Sequence, residues 1–290
     1  MPKVAIHGRL ISPDSLEPVK KLLAMLHEAG KDIYVSPTLD RLNSEHLSFK
    51  RYPQYTLQEI EGFEFIISLG GDGTLLETLT HVGEAEVPIM GINTGRLGFL
   101  ATISKDRIEE ALKLYFAGNF EYDERTLLKL VSENQLFKDQ NFALNEFAIL
   151  RKDTSSMIVV KCYLDGEYLN TYWADGLMVS TPTGSTGYSL SCGGPVIMPK
   201  TKNFIITPVS PHNLNVRPLI ISEDSKLTFS IESRNQSFLV SLDSRSQSID
   251  NSVDLSVMKA DFNAKLIRIK DISFLDTLRT KLTWGLDKRN

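Results

Sequence analysis

The sequence has little of what marks several common protein classes. Its 290 residues include two cysteines, Cys162 and Cys192, without CxxC or Cys/His spacing, so neither a disulfide framework nor a zinc site is indicated. No apolar run is long enough to span a bilayer, and the N-terminus enters a strand-like run without the apolar region of a signal peptide. We therefore expect a protein of the reducing cytoplasm.

An excess of positive charge is also absent. The formal net charge is −4, and no local cluster of basic residues is interleaved with aromatic ones. A nucleic-acid or membrane-surface partner would require a basic excess, so we expect neither. Apolar residues make up 42% of the chain and charged residues 23%, which is ordinary for a globular protein. The length predicts one large domain or two modest ones.

The pattern of apolar residues changes near residue 122. Strands alternate with helices over roughly the first 120 residues, apart from the polar segment 36–58, where no element is predicted. That alternation predicts a Rossmann-like α/β domain with a parallel sheet. From Arg125 to about Lys270, short β-prone runs separated by turn signals predict an all-β, sandwich-like domain. Helical spacing returns between Phe274 and Trp284.

A glycine-rich turn at residues 70–74 is the clearest functional signal. A β-rich apolar run that begins at Phe63 ends abruptly here, and an apolar helix-like segment follows. The residues of the turn are Gly70, Gly71, Asp72, Gly73 and Thr74. A strand, a glycine turn and a helix start form an anion site, because the backbone N–H groups and the helix dipole favour phosphate. Asp72 has either a chemical role there or the plain role of a helix N-cap.

Two further clusters offer polar groups. The loop Asn93–Gly98 follows another short strand, so it is expected beside Asp72, where Asn93, Gly95 and Arg96 could meet a phosphate. An exposed loop arginine is the alternative for Arg96. Asn145 and Glu146 interrupt the predicted strand Phe142–Leu150, where buried polar groups need partners. They are either a binding pair or a satisfied pair at a sheet edge.

The richest cluster of hydroxyls and glycines lies between Ala174 and Ser191. Such a segment suits ribose and phosphate groups, because it supplies many hydrogen bonds and a close backbone approach. It has neither the G-x-S-x-G spacing of a nucleophile elbow nor the lysine of a Walker loop. A Ser/Thr-rich linker is the alternative. The candidate binding residues are Asp175, Thr183, Thr186, Gly187, Tyr188, Ser189, Leu190 and Ser191.

Taken together and in this order, the clusters resemble the NAD kinase family. The similarity runs from about Phe63 to Trp284, and the hydroxyl-rich block after Asp175 is its most specific part, since diacylglycerol, sphingosine and phosphofructo-type kinases share the glycine–Asp turn. The matching segments are 70–74, 93–100, 145–146, 175–176, 181–186, 210–212, 217–218 and 278–285.

The resemblance implies ATP-dependent phosphorylation of the adenosine-ribose 2′-hydroxyl of NAD, with NAD and ATP as substrates. Asp72 would be the general base, and Mg²⁺ would accompany the ATP phosphates without a dedicated set of protein ligands. The resemblance further implies that the C-terminal helix packs back on the α/β domain. The expected domains are therefore residues 1–122 with 271–290, which bind nucleotide, and residues 123–270, which bind NAD.

Family roles transfer to individual positions. Asn145 and Glu146 match a pair that contacts NAD, and Asp175 matches an acid that meets the dinucleotide, often from a neighbouring subunit. The segment Thr183–Ser191 matches residues along the nucleoside, with Tyr188 as the stacking candidate and Gly187 where the family commonly has alanine. A homo-oligomer, tetramer or dimer, with sites near subunit interfaces, is therefore expected.

One position departs from the family, and two other functions remain open. Many relatives carry Asp-Gly-Gln where this chain has Asp243-Ser244-Arg245, so a cation that could reach a phosphate replaces a glutamine. A lipid or sugar kinase with the same turn is one rival, although the acidic composition offers no basic membrane-docking face. A non-catalytic dinucleotide-binding regulator is the other, and Asp72 argues against it because a carboxylate facing phosphates weakens binding.

Overall fold

The computed structural model describes residues 1–43, 49–95, 98–152, 157–232, 237–250, 253–270 and 273–285. Contacts between Cα atoms divide the chain into two units. The first unit comprises Met1–Glu124 and Ala264–Asn290, and the second comprises Arg125–Asn263. In the described ranges, no helix has both the length and the apolar character needed to cross a membrane.

The strands and helices are numbered here in chain order. The strands are β1 Lys3–Gly8, β2 Asp32–Val35, β3 Phe65–Leu69, β4 Ile89–Asn93, β5 Ile103–Ser104, β6 Phe120–Ser132, β7 Phe142–Ala143, β8 Glu146–Arg151, β9 Ile158–Leu164, β10 Glu167–Ala174, β11 Gly176–Ser180, β12 Asn203–Val209, β13 Leu219–Ser222, β14 Leu227–Glu232, β15 Ser237–Leu242, β16 Arg245–Asp250 and β17 Leu255–Ile269. The helices are α1 Leu16–Glu28, α2 Pro37–Asn43, α3 Asp72–Val82, α4 Ile108–Phe116, α5 Tyr188–Ser191 and α6 Phe274–Leu282.

The first unit is built on a parallel sheet with the order β2-β1-β3-β4. Every residue of β3 and β4 is buried, as expected for parallel strands that are covered on both faces. β4 also pairs in parallel with β5 and, at Leu266, with the end of β17. The predicted α/β domain is confirmed. Helix α2 lies inside the segment 36–58, for which the sequence predicted no element.

Helix α6 belongs to the first unit. Its N-cap is Ser273, whose hydroxyl accepts a hydrogen bond from the Leu275 amide at 3.1 Å. Thr277 and Leu278 are buried, and the ring centroid of Phe274 lies 6.5 Å from that of Phe99. The prediction that the C-terminal helix packs back on the α/β domain is therefore confirmed.

The second unit contains antiparallel strands in two sets. One set has the order β13-β12-β11-β8-β15-β16, and the other runs β10-β9-β14-β17. Side chains of both sets share one core, in which the rings of Phe147 on β8 and Phe229 on β14 stack 5.6 Å apart. The hairpin between β9 and β10 turns at Asp165 and Gly166, both at positive φ. These features confirm the predicted β sandwich.

Candidate active site

The glycine turn joins β3 directly to α3. Gly70 has φ +154°, and a Cβ at this position would lie 2.3 Å from the Thr74 hydroxyl oxygen, so only glycine fits. Gly71 is the N-cap of α3, and Asp72 is its first helical residue. The predicted order of strand, turn and helix is correct. The alternative that Asp72 acts as the N-cap is wrong.

The carboxylate of Asp72 is held by the loop that follows β4. Its Oδ2 accepts a hydrogen bond from the Phe99 amide at 2.8 Å, and its Oδ1 accepts from the amides of Leu100 and Ala101 at 3.0 and 3.1 Å. Gly98 allows this approach, because a Cβ there would lie 1.9 Å from Oδ1. The loop therefore surrounds the carboxylate and sets its position at the start of α3.

The ends of β3 and β4 lie side by side, as the parallel strand order predicts. The Gly70 amide donates to the carbonyl of Ile92 at 3.0 Å. Asn93 is buried, and its side-chain oxygen accepts the Gly95 amide at 2.8 Å, which turns the chain sharply after β4. Arg96, the candidate phosphate ligand, lies outside the described residues.

One side of the glycine turn is open. A Cβ added at Gly71 or Gly73 would meet no described atom within 4 Å, so packing among the described residues does not require glycine at either position. Gly73 is exposed, in the first turn of α3. An open glycine backbone at a helix N-terminus can approach an anion closely. This side of the turn can therefore accept phosphate oxygens.

In the second unit, the strand predicted over Phe142–Leu150 is not continuous. It is interrupted at Leu144–Glu146, which we call the corner. The chain leaves β7 at Ala143 and enters β8 at Glu146. The amides of Leu144, Asn145 and Glu146 all donate to the carboxylate of Asp243, at 2.9, 2.8 and 3.1 Å. The candidate pair therefore stands where the chain leaves this bend, with Asn145 in the bend and Glu146 as the first residue of β8, paired with Ser180 of β11.

Glu146 is an acid with a raised pKa that lies beside the hydroxyl-rich segment. Its Oε2 is buried and has no hydrogen-bond partner among the described residues. Burial and the negative charge of Asp243 raise the pKa of Glu146 to about 7. A Cβ at Gly187 would lie 3.3 Å from Oε2, so this carboxylate and residue 187 are neighbours. Buried acids with raised pKa values are common at functional sites.

The hydroxyl-rich segment is ordered, so the linker alternative is wrong. Residues Thr183–Thr186 form a 3₁₀ turn, and α5 follows immediately. A Cβ at Gly184 would lie 2.0 Å from the carbonyl oxygen of Asn145, so the turn packs directly on the corner. Two segments that the sequence predicted as site residues, Asn145–Glu146 and Thr183–Ser191, are therefore in contact.

Several hydroxyls of this segment bond within the protein. The Thr183 hydroxyl accepts from Arg125 Nη1 at 3.0 Å, and the Thr186 hydroxyl donates to the Thr183 carbonyl at 3.2 Å. Ser189 is buried, with its Oγ 3.0 Å from the Thr207 hydroxyl. Leu190 is half-buried, whereas Tyr188 and Ser191 are exposed. Tyr188 and Ser191 thus have the exposure that a ligand contact needs.

Asp175 stands at the turn between β10 and β11. Its Oδ2 lies 3.0 Å from Arg151 Nη2, and each side chain is about one-third exposed, at 32% and 30%. The backbone also joins the two residues, since the Arg151 amide donates to the Asp175 carbonyl at 2.9 Å. Asp175 is thus an ion-paired acid at the surface of the second unit.

Sequence reasoning did not identify Asp243 and Thr181 as partners of the backbone at Leu144–Glu146, and for Arg245 it offered a phosphate contact as a hypothesis. The Arg245 guanidinium donates to the carbonyls of Gln140 and Phe142, so its donors are engaged by backbone and are not directed to a phosphate. An aspartate after a β-prone run reads as an ordinary turn residue, and no spacing links it to a strand about a hundred positions earlier.

Comparison with known proteins relates the chain to one family. Residues 4–120 match the model of the ATP-NAD kinase N-terminal domain, and residues 144–269 match that of the ATP-NAD kinase C-terminal domain. NAD kinase of Cytophaga hutchinsonii is 50% identical over 291 residues, covering 99% of each chain. NAD kinase of Flavobacterium johnsoniae is 46% identical, covering 99% of this chain and all of that protein.

Solved structures agree with these matches. Archaeoglobus fulgidus NAD kinase in complex with ATP is 26% identical, with a TM-score of 0.75, covering 97% of this chain and 98% of the other. Yeast NADH kinase complexed with NADH has a TM-score of 0.86 over 99% of this chain and 89% of the other. Its 23% identity supports the fold alone.

Proposed function

The chain belongs to the NAD kinase family and phosphorylates NAD with ATP, and we propose that Asp72 is the general base of this reaction. The carboxylate takes the proton of the adenosine-ribose 2′-hydroxyl while that oxygen attacks the γ-phosphorus. The bond from the γ-phosphorus to the β,γ-bridging oxygen breaks, and ADP leaves with its electron pair. One observation carries the proposal: Asp72 lies within the open glycine turn, and three backbone amides fix its carboxylate.

The three amides suit a base that acts through its position. A carboxylate offers about four lone-pair sites, so three accepted hydrogen bonds leave one site for a ribose hydroxyl. Phosphoryl transfer depends mostly on positioning and charge stabilisation, and a carboxylate that cannot rotate keeps its free site aimed in one direction. Holding the side chain by backbone groups therefore supports catalysis.

The glycine turn is proposed to bind phosphate groups. Gly70 gives the turn its shape, Gly71 and Gly73 leave its outer side open, and Thr74 packs beneath it. Asn93 and Gly95 form the adjacent loop, which we propose as a second wall for the same groups.

Mg²⁺ is proposed to arrive with ATP. Within the described ranges, no three His, Cys, Asp or Glu side chains lie together as a ready metal cage. Mg²⁺ is commonly held by substrate phosphates with one or two carboxylates, and such a cation neutralises phosphate charge.

The second unit is proposed to hold the nucleoside. Asn145 and Glu146 offer an amide and a carboxylate to adenine and ribose groups, and the exposed ring of Tyr188 offers a stacking face. The proximity of Gly187 to the Glu146 carboxylate supports a common role for both segments. The remaining members of this proposed site are Thr183, Thr186, Ser189, Leu190 and Ser191.

A homo-oligomer, tetramer or dimer, is also proposed, working in the cytoplasm. In this assembly Asp175 would meet a dinucleotide bound to a neighbouring subunit. Its partial exposure beside Arg151 supports that role.

Replacing Asp72 by asparagine tests the proposal. The asparagine oxygen can keep the Leu100 and Ala101 bonds, so one charge-assisted bond is lost and the unfolding free energy should fall by about 1 to 2 kcal/mol. Loss of a general base should lower kcat by about 10²- to 10⁴-fold. The Kd for NAD, measured by calorimetry, should stay close to that of the wild type. Turnover within about tenfold of the wild type would exclude Asp72 as the base.

The matched control is Asp276→Asn, which removes an exposed acid from the first turn of another helix of the same unit. It should leave turnover unchanged. Both variants and the wild type are assayed with ATP plus NAD, NADH, diacylglycerol or fructose 6-phosphate. Phosphorylation of the lipid or the sugar in preference to NAD would overturn the assignment.

A further inference from the structure

The corner Leu144–Glu146 is held through all of its backbone polar groups. Its three amides donate to the Asp243 carboxylate. The Leu144 carbonyl accepts from the Thr181 hydroxyl, and the Asn145 carbonyl accepts from the Thr181 amide at 2.9 Å. The Glu146 carbonyl accepts from the Asp243 amide at 2.9 Å. Two residues that are distant in sequence therefore fix the backbone of the candidate NAD-binding pair.

Asp243 is unusual for a hairpin-turn residue. It lies between β15 and β16 at φ +52°, and its carboxylate is turned inward onto the corner. Burial raises the pKa of Asp243, and the three amides and Arg245 oppose that rise. Asp165 is the natural comparison: it also has φ +52° in a hairpin turn, but it is exposed and its carboxylate accepts the Lys226 amide. Asp243 is therefore half-buried with its carboxylate bonded to three amides, whereas Asp165 is exposed.

Arg245 holds the chain just before the corner. Its guanidinium donates to the carbonyls of Gln140 and Phe142 and lies 5.5 Å from the centre of the Phe142 ring. The carboxylate of Asp243 accepts hydrogen bonds from the three amides of the corner, and the guanidinium of Arg245 donates to two carbonyls that precede the corner. The two ends of one hairpin turn thus hold segment 140–146 by groups of opposite charge.

We propose that the turn Asp243–Arg245 positions Asn145 and Glu146 for dinucleotide binding. This inference rests on the proposed function, in which those two side chains contact NAD. A backbone fixed before the ligand arrives need not be ordered on binding, so affinity is gained without any new contact to the ligand. Asp243 is a positioning residue in this scheme, because it acts through the backbone of the pair.

Asp243→Asn is the first test, because asparagine tolerates positive φ and nearly preserves the shape. Its oxygen can keep two of the amides, while its NH₂ group faces the third. We expect the Kd for NAD to rise by about tenfold, as the loss of one charge-assisted hydrogen bond implies. The Kd for ATP should stay within about twofold. Asp165→Asn, with the same chemistry at the same φ, should change neither constant.

A double-mutant cycle separates positioning from general loss of stability. Glu146→Gln and Asp243→Asn are measured singly and together by calorimetric titration with NAD. If Asp243 acts through Glu146, the double variant should bind more tightly than the product of the two single effects predicts. The cycle with Asp165→Asn should be additive. Arg245→Met, which keeps the length of the side chain without its donors, is the second variant should Asp243→Asn fail to fold.

The outcomes distinguish this inference from the proposed function. If neither Glu146→Gln nor Asn145→Ala changes the Kd for NAD, the assignment of the pair to NAD is wrong and the inference falls with it. If those variants weaken binding while Asp243→Asn and Arg245→Met leave it unchanged, only the positioning role is overturned. An additive cycle between Asp243 and Glu146 also overturns it. Weaker NAD binding with unchanged ATP binding and a non-additive cycle supports it.

Discussion

Replacing Glu146 by glutamine should stabilise the second unit, and increasingly so as the pH rises. In the folded protein, burial and the charge of Asp243 raise the pKa of Glu146 from 4.5 to about 7. In the unfolded chain the carboxyl ionises near the lower value. Between these values the folded state keeps a proton that the unfolded state has released. The wild type therefore loses stability as the pH rises through this window.

The magnitude follows from the pKa difference. Each pKa unit corresponds to about 1.4 kcal/mol, so the full shift costs the wild type about 3 kcal/mol above pH 7. Roughly 2.5 kcal/mol of that falls between pH 5 and pH 8. Glutamine cannot ionise and avoids this loss. Titrations of groups that do not interact with Glu146 are common to both proteins and cancel in the comparison.

Urea unfolding at pH 5 and pH 8 checks the prediction. The chain has two tryptophans, Trp173 in the second unit and Trp284 in the first, so a Trp284→Phe background leaves one reporter for the second unit. Glu167→Gln, at an exposed position of β10, is the control and should show no pH-dependent gain. An advantage of Glu146→Gln that is equal at both pH values would refute the reasoning.

Two further predictions concern the first unit. Gly98→Ala puts a Cβ 1.9 Å from Asp72 Oδ1, so the carboxylate must move and kcat should fall about 100-fold. The control Gly62→Ala, whose Cβ meets no described atom within 4 Å, should not lower kcat. Equal kcat values for the two variants would contradict the argument. Burial lowers the pKa of His81 to about 4, so stability is lost as the pH falls from 6.5 towards 4, by about 3 kcal/mol. His81→Gln should remove most of that loss in acid unfolding followed by Trp284 fluorescence in a Trp173→Phe background. An unchanged pH slope would count against this assignment.

Much of the fold could be predicted because its signals are local. The apolar run ending at Leu69 and the glycines after it require a strand, a left-handed backbone and a helix start within about ten residues. The paired turn residues Asp165 and Gly166 predicted their hairpin for the same reason. The segment 36–58 gave no signal, because the short helix α2 carries only Leu39 and Asn43 as buried residues.

The partners of the two carboxylates could not be predicted in this way. Asp72 meets amides 27 to 29 positions later, and Asp243 meets amides 97 to 99 positions earlier. Apolar periodicity reports which side chains are buried, not which backbone groups leave the sheet ladder. The break at Leu144 was therefore invisible in Phe142–Leu150, and the backbone carbonyls that the Arg245 guanidinium meets could not be foreseen.

By itself, the sequence determined the two kinds of domain, the glycine turn and the residue types available for phosphoryl transfer, because each depends on neighbouring residues. The tertiary structure alone decided which groups hold the acids. The carboxylate of Asp72 accepts hydrogen bonds from amides of the loop after β4, and the carboxylate of Asp243 accepts them from amides of the corner Leu144–Glu146. A carboxylate can accept several hydrogen bonds from any part of the chain, so only folding determines which amides it meets.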